Sequence, residues 1–322
     1  MPSLRSRLVN AVLRLTVKRD LDRRPLTVEH LREVRARLER LAGRVRAPAG
    51  VVFERDTLAG VPVDRVVAPG PRLDDRVLLY LHGGGYAVGS SYVYRPASWR
   101  LAQAAGATVV LPDYRLAPEH PFPAAPDDAL AVYRSLLEAG HAPHRLAVAG
   151  DSAGGNLLLV LLQRIRAEGL PMPASATCLS PWADLTASGT SVRLNARRDP
   201  MLPARRVREA AALYAPERDH RDPLISPLFA DFSGFPPLSV YVGSTEILLD
   251  DAVRVADRAR AAGVPTRLVI AKRQAHVYPL FAPLVPEARD ALAEIGRFVL
   301  QRWVRSAEAA AGTERGADRA AA

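Results

Sequence analysis

A serine flanked by glycines stands where an apolar strand pattern meets a long apolar helix pattern. The stretch 150–155 contains Gly-x-Ser-x-Gly, with a short apolar run over 145–149 before it and another over 157–162 after it. A serine held at a sharp strand-to-helix turn is exposed above the sheet, and glycines flank it because side chains would clash in so tight a turn. The pattern therefore predicts an exposed serine hydroxyl, although alone it is a weak signal because these residue types are common.

Apolar runs from Val51 onward alternate between strand and helix patterns. Two closely joined strands come first, and later strands alternate with helical patterns such as 97–105 and 125–138. This order predicts a mostly parallel sheet with helices on both faces. The eight predicted strands are 51–55, 61–67, 77–81, 108–111, 145–149, 175–179, 238–242 and 267–270.

Three segments do not follow this alternation of strand and helix patterns. Residues 1–47 are helical and charged, and we expect a helical lid segment there. Residues 183–235 are rich in Pro, Arg and Asp, with one helix around 203–214; so long an excursion between two strands is typical of a lid or binding insertion. We predict a single α/β domain over 48–305 that includes this insertion. The tail 306–322 has no periodic apolar face, so we expect it to be disordered.

The composition limits the partners and the compartment. The formal net charge is +10, almost all of it from arginine. Charge spread over solvated faces is the simpler explanation, and attraction to an anionic lipid or an acidic substrate is the alternative. Nucleic acid is not an expected partner because the chain lacks aromatic–basic interleaving and zinc-ligand spacing. Cys178 is the only cysteine and forms no internal disulfide. With no signal-peptide pattern and no long apolar run, a cytoplasmic protein is expected.

The N-terminal helix pattern combines aliphatic and basic residues. Leu4, Leu8, Val12 and Leu15 recur at helical spacing among arginines. A lid or packing helix is the main expectation, and weak contact with a membrane surface is the alternative. A homodimer is also left open.

A run of three glycines follows the predicted strand 77–81. His82 comes directly before the run, which consists of Gly83, Gly84 and Gly85. Consecutive glycines leave backbone N–H groups uncovered, and acyl transfer needs such donors about 3 Å from the developing oxyanion. The predicted donors are the N–H groups of Gly84, Gly85 and Ala153, the last directly after the serine. His82 is expected to order the loop rather than to transfer protons.

The serine also needs a base and an orienting acid. His276 lies between the predicted strand 267–270 and the last long helix, at the same sheet edge as Ser152, so it is the predicted base. Glu246 lies nearest the end of strand 238–242 and is the preferred acid. Asp250 lies one turn further on and remains the alternative. The order serine, acid, histidine is typical of α/β hydrolases.

With these motifs, the chain resembles the hormone-sensitive-lipase-like family of α/β-hydrolase esterases (bacterial family IV) over roughly 51–303. Its segments 82–85, 113–125 and 150–156 look like the family's oxyanion motif, a linking signature and the nucleophile elbow. The resemblance implies an α/β-hydrolase fold with an eight-stranded, mostly parallel sheet, and a lid built from 1–47 and 183–235. Gly83 and Asp151 are candidate supporting residues within the motifs.

The resemblance also favours one acid. In the family a carboxylate stands 30 positions before the catalytic histidine, and Glu246 stands 30 positions before His276. The family usually has aspartate there, so the longer glutamate is a departure that keeps Asp250 in consideration.

The function implied is a serine carboxylesterase acting on small-molecule esters with short to medium acyl chains. No metal or organic cofactor is expected. The alternatives are hydrolysis of amides, lactones or formamides, an interfacial lipase, and a non-catalytic small-molecule receptor, against which the retained His276 argues. Acyl-chain preference depends on lid residues, for which the candidates are Trp182, Leu202, Tyr214 and Phe229.

Overall fold

One eight-stranded sheet organises the chain, as predicted. A computed structural model describes residues 2–71, 73, 75–282 and 284–321. The strand order is β1-β2-β4-β3-β5-β6-β7-β8; β2 is antiparallel to β1 and β4, and the remaining pairs are parallel. The strands are β1 (Val52–Leu58), β2 (Val61–Val67), β3 (Val77–Leu81), β4 (Thr108–Pro112), β5 (Leu146–Asp151), β6 (Ser175–Leu179), β7 (Leu238–Gly243) and β8 (Thr266–Ala271).

Helices cover both faces of this sheet. The central strands β3, β5 and β6 are buried along their whole length, as parallel strands under two helical layers must be. The helices are α1 (Leu4–Leu13), α2 (Arg19–Arg23), α3 (Val28–Ala42), α4 (Ser91–Ala105), α5 (Ala124–Glu138), α6 (Ala153–Ala167), α7 (Thr190–Leu194), α8 (Ala204–Tyr214), α9 (Leu249–Ala261) and α10 (Pro286–Ala321). Residues 14–18 form a π-helical turn that joins α1 to α2.

Alternate side chains of the strands enter two separate hydrophobic cores. On β3, Leu79 and Leu81 belong to the core under α6, whereas Leu78 and Tyr80 belong to the core under α10. The period of two along a strand produces this division. Because β3, β5, β6, β7 and β8 are parallel neighbours, their carboxyl ends meet at one edge of the sheet, and the loops that leave them are neighbours.

The C-terminal segment differs from the sequence prediction. We expected disorder over 306–322, but α10 continues through Ala321, and Ala322 lies outside the described residues. Alanine, glutamate and arginine, which dominate this stretch, all have high helix propensity, so the helix continues without an apolar face. Its earlier part is anchored by Trp303, whose ring is fully buried.

The helical boundaries also depart from prediction at two places. Helix α4 begins at Ser91 rather than Ala97, because Ser90 caps it and Pro96 is accommodated within it. The insertion contains the short helix α7 in addition to the predicted α8. Within the described residues, none of the helices combines the length and apolarity that crossing a membrane requires.

Candidate active site

Ser152 occupies the turn between β5 and α6. Its backbone has φ +53° and ψ −119°, a conformation that L-residues rarely adopt and that stores local strain. Glycine is required on both sides. A Cβ on Gly150 would meet the backbone of Gly154, and one on Gly154 would collide with the carbonyl oxygens of Leu81 and His82. The turn therefore packs backbone against backbone and lifts the serine above the sheet.

The glycine loop after β3 lies directly beside this turn. Gly84 and Gly85 have φ values of 116° and 62°, and a Cβ on Gly84 would collide with the carbonyl of Val88. Among the described residues, the N–H groups of Gly84 and Gly85 have no hydrogen-bond acceptor. The N–H of Ala153 lies in the first turn of α6, where a helix supplies no acceptor of its own. All three predicted donors are thus free to bind an anionic oxygen.

Asp151 joins the glycine loop to the serine turn. Its Oδ1 accepts hydrogen bonds from the Gly83 N–H and the Tyr80 hydroxyl, both at 2.9 Å, and its Oδ2 accepts one from Tyr94 at 2.8 Å. Burial raises the pKa of Asp151 to about 6. The carboxylate holds the two motifs in register. Tyr94, on α4, was not among the predicted residues.

His82 is packed inside the glycine loop. Its Nδ1 donates to the carbonyl of Gly83 at 2.8 Å, and its ring stacks on Tyr114 with the ring centroids 4.3 Å apart. The Tyr114 hydroxyl donates to the His82 carbonyl at 2.6 Å. Burial lowers the pKa of His82. A buried, neutral imidazole bonded to its own loop is placed to shape that loop.

His276 and Glu246 form a buried pair at the ends of β8 and β7. The Nδ1 of His276 lies 2.7 Å from Oε2 of Glu246. Because a carboxylate only accepts, Nδ1 carries the proton and Nε2 is left with a lone pair. The other carboxylate oxygen accepts from the Ser180 hydroxyl at 2.8 Å and from the N–H of Gly243. Every polar atom of the carboxylate is therefore engaged.

The pair sets the protonation of His276. Burial by itself lowers the pKa of the imidazole, but the hydrogen bond and the negative charge of Glu246 outweigh it. The pKa of His276 is therefore raised above its ordinary value. The imidazole is a stronger base than an isolated histidine.

Asp250, the alternative acid, faces elsewhere. It lies in the first turn of α9, and its Oδ2 accepts a hydrogen bond from the Ser191 N–H at 2.9 Å. The structure therefore brings Glu246, not Asp250, against His276. Ser180 was not predicted; its hydroxyl donates to Glu246 and accepts from the Val277 N–H at 3.0 Å. Its sequence position after β6 was the only available signal.

A cavity of about 480 Å³, hereafter the Ser152 cavity, contains these groups. Ser152, His276, Gly84 and Gly85 line it together with mostly apolar side chains from α2, α3, α4, α8 and the insertion. Of the predicted lid residues, Trp182 and Leu202 line the cavity. Tyr214 instead stacks on Tyr86 with the ring centroids 3.7 Å apart, and Phe229 lies against Arg221.

Known proteins share this architecture. A family model for the α/β hydrolase fold matches residues 78–280. An acetyl-hydrolase of Streptomyces hygroscopicus is 44% identical over an alignment of 265 residues that covers 78% of this chain and 89% of that protein. An esterase of Acinetobacter venetianus is 36% identical over 242 residues, which are 75% of this chain and 79% of that protein.

Solved structures agree with the sequence relatives. The crystal structure of an esterase from the bacterial hormone-sensitive lipase family superposes with a TM-score of 0.87 and 41% identity, covering 94% of this chain and 99% of that one. A mutant of the esterase E40 superposes with a TM-score of 0.87 and 42% identity, with the same coverage. The chain belongs to the hormone-sensitive-lipase-like family of α/β-hydrolase esterases.

Proposed function

We propose that this carboxylic ester hydrolase cleaves short- to medium-chain esters through an acyl-enzyme intermediate on Ser152. The observation that carries the proposal is the 2.7 Å contact between His276 Nδ1 and Glu246 Oε2. Glu246 fixes the proton on Nδ1, so Nε2 is the basic atom, and His276 lines the same cavity as Ser152 and the free amides.

The first half of the reaction acylates the serine. The Ser152 oxygen attacks the ester carbonyl while His276 Nε2 takes its proton. The carbonyl oxygen becomes an oxyanion that accepts hydrogen bonds from the N–H groups of Gly84, Gly85 and Ala153. When the tetrahedral intermediate collapses, the C–O bond to the alcohol breaks and His276 returns the proton to the departing alkoxide.

Water completes the cycle by the same route. His276 removes a proton from a water molecule, which attacks the acyl carbonyl, and the proton then returns to Ser152 as the acid leaves. Through both halves Glu246 keeps the imidazole oriented and stabilises the transient imidazolium. The N-terminal helices and the insertion, whose side chains line the cavity, act as the lid.

The chain-length assignment follows from the size and lining of the Ser152 cavity. Its volume of about 480 Å³ lies within the range of about 300–1,000 Å³ typical of small-molecule sites, and apolar side chains dominate its wall. We expect kcat/KM on p-nitrophenyl esters to rise from acetate to butyrate or hexanoate and to fall for long chains. A profile that keeps rising to palmitate would contradict the assignment. Faster cleavage of p-nitroacetanilide than of p-nitrophenyl acetate would indicate an amidase instead.

The pH dependence of kcat/KM tests the base. Neutral His276 is the active form, so kcat/KM should be low at acid pH and should rise through an apparent pKa above the ordinary value of about 6.5. Glu246→Gln removes the charge that raises the pKa of His276, so burial should then move the apparent pKa below that value. Asp250→Asn removes a charge one turn away and should leave the profile unchanged. If kcat/KM rose with pH through the same apparent pKa in all three proteins, the result would count against the pairing of His276 with Glu246.

Ser180 is expected to act as a positioning residue for Glu246. Ser180→Ala removes a hydrogen bond to a buried carboxylate and should lower kcat roughly 10- to 100-fold with KM little changed. The matched control is Ser175→Ala on β6, where a buried serine hydroxyl has no partner among the described residues. Steady-state kinetics on p-nitrophenyl butyrate measures both. Equal kcat values for the two variants would remove Ser180 from this role.

A further inference from the structure

An aliphatic stripe faces outward on the first helix. The side chains of Leu4, Leu8, Val12 and Leu15 are 78%, 65%, 50% and 66% exposed. They recur every three or four residues, so they share one face of the helical segment. Single exposed leucines are ordinary on a protein surface, but a contiguous row of them marks an interaction site.

The opposite face of α1 is fixed to the body of the protein. The Ser6 hydroxyl donates to the side chain of Gln274 at 2.8 Å, and the Asn10 side-chain amide donates to the carbonyl of Arg273 at 2.9 Å. Leu13 is buried. Because polar anchors hold this inner face, the helix cannot bury the stripe by rotating, and the apolar row remains directed away from the protein.

Basic residues lie beside the stripe. Arg5 and Arg7 are exposed on α1 itself, and the segment 4–18 contains no acidic residue. Next to it lies a second cavity of about 660 Å³, hereafter the cationic cavity, in which Asp22 is the only acidic residue among the described lining. Its cations are Arg14, Lys18, Arg19, Arg23, Arg197 and Arg205.

These charges lack carboxylate partners within the protein. Among the described residues, none of the cations of the cationic cavity lies within 4.0 Å of a carboxylate oxygen. Arg14 and Lys18 donate instead to backbone carbonyls, Arg14 to those of Arg197 and Arg198 and Lys18 to those of Ala196 and Asp199. Lys18 is buried and its ammonium points into the protein. The five arginines of the cationic cavity are exposed, so their charges are the ones available to an external anion.

We propose that the aliphatic stripe and the cationic cavity together form a docking surface for an anionic lipid bilayer. The aliphatic side chains enter the boundary between headgroups and acyl chains, and the guanidinium groups bind lipid phosphates. The charge of the surface complements an anionic bilayer, and a protein with net charge +10 is attracted to one at long range. The proposal concerns binding and stands independently of the esterase mechanism.

The docking surface adjoins the Ser152 cavity. Arg14, Lys18 and Arg19 line the cationic cavity, whereas Val17 and Leu21 of the same helical segment line the Ser152 cavity. One helical layer separates the two. Docking would place this wall of the Ser152 cavity at the lipid surface.

Vesicle sedimentation of the full-length chain tests the proposal. The probes are vesicles of phosphatidylcholine alone and of equal parts phosphatidylcholine and phosphatidylglycerol. We expect binding to the anionic vesicles, weakened by salt. Each lost surface cation contributes about 1 kcal/mol, so Arg19→Gln with Arg23→Gln should weaken binding by on the order of 10-fold or more. Leu8→Ser with Leu15→Ser should weaken it by at least as much.

Matched controls separate the surface from general effects. Arg297→Gln with Arg305→Gln removes the same charge from α10, and Val52→Ser with Val304→Ser removes exposed aliphatic side chains elsewhere; both should bind as the wild type does. Hydrolysis of p-nitrophenyl acetate, a soluble ester, checks that every variant is folded. No sedimentation of the wild type, equal binding to neutral vesicles, or wild-type binding by the Leu8/Leu15 variant would overturn the proposal. So would a solution dimer that the same variant dissociates, because a second copy would then cover the stripe.

Discussion

Replacing Ser152 with alanine should lower kcat on p-nitrophenyl butyrate by about 10⁵- to 10⁶-fold, the scale seen when a catalytic serine is removed. The substitution removes only the hydroxyl group. The strained turn that presents it is held by the glycine backbone and by the hydrogen bond from the Ser152 N–H to the Leu179 carbonyl at 2.8 Å. Residual catalysis of about 10³–10⁴ over water is expected, because the free amides and the cavity remain.

The Ser152→Ala protein should remain folded and should still bind its ester. Its thermal unfolding midpoint should match that of the wild type, since the fold is held at this turn by the backbone of Ser152 and its glycine neighbours. The butyrate ester should compete with a fluorescent apolar ligand for the Ser152 cavity of the variant, which binds the ester without turning it over. Activity within tenfold of the wild type would show that another group is the nucleophile.

Glu246→Gln should lower kcat about 10⁴-fold. The reason is that hydrogen-bond donors surround this side chain. The N–H of Gly243 donates to Oε1 of Glu246 and can only donate. The amide oxygen of a glutamine must therefore occupy that position, and its NH2 group then faces Nδ1 of His276. Two donors cannot meet, so the imidazole proton moves to Nε2, and Nε2, the proposed base, loses its basicity.

Asp250→Asn is the matched control because it makes the same chemical change four residues away. Asp250 accepts from the Ser191 N–H, and an asparagine retains an oxygen for that bond. Its kcat should stay within about twofold of the wild type, as for most substitutions away from a site. Comparable losses in the two variants would show that the acid is not Glu246 alone; a loss confined to Asp250→Asn would reverse the assignment.

The sheet was predictable because its signals are local. The apolar runs that became β3, β5 and β6 are short and bounded by turn residues, and their alternation with helices favours parallel pairing. The start of α4 is not apparent from the sequence because Pro96 is usually a helix breaker, whereas the cap that begins the helix is Ser90, six residues before it. The tail continues as a helix because alanine, glutamate and arginine favour one even without an apolar face.

The site was predictable only as far as motifs reach. Two motifs identified the glycine loop and the serine turn, but the choice between Glu246 and Asp250 depends on contacts made by the insertion. Asn195 donates to the Glu246 carbonyl at 2.8 Å, and Asp199 accepts from the Ile247 N–H at 2.9 Å. These contacts direct the loop after β7 toward His276. Side chains that are distant in sequence, such as Ser180, leave no local pattern to detect.

Covalent labelling of the nucleophile is the most direct test of the mechanism. A fluorophosphonate reacts with an activated serine, releases fluoride and leaves a stable phosphonyl ester that peptide mass spectrometry can locate. We predict a single modification at Ser152, formed rapidly in the wild type and in Asp250→Asn and much more slowly in Glu246→Gln. Stoichiometric labelling of Ser180, the serine that donates a hydrogen bond to Glu246, or of any residue outside the Ser152 turn would contradict the account.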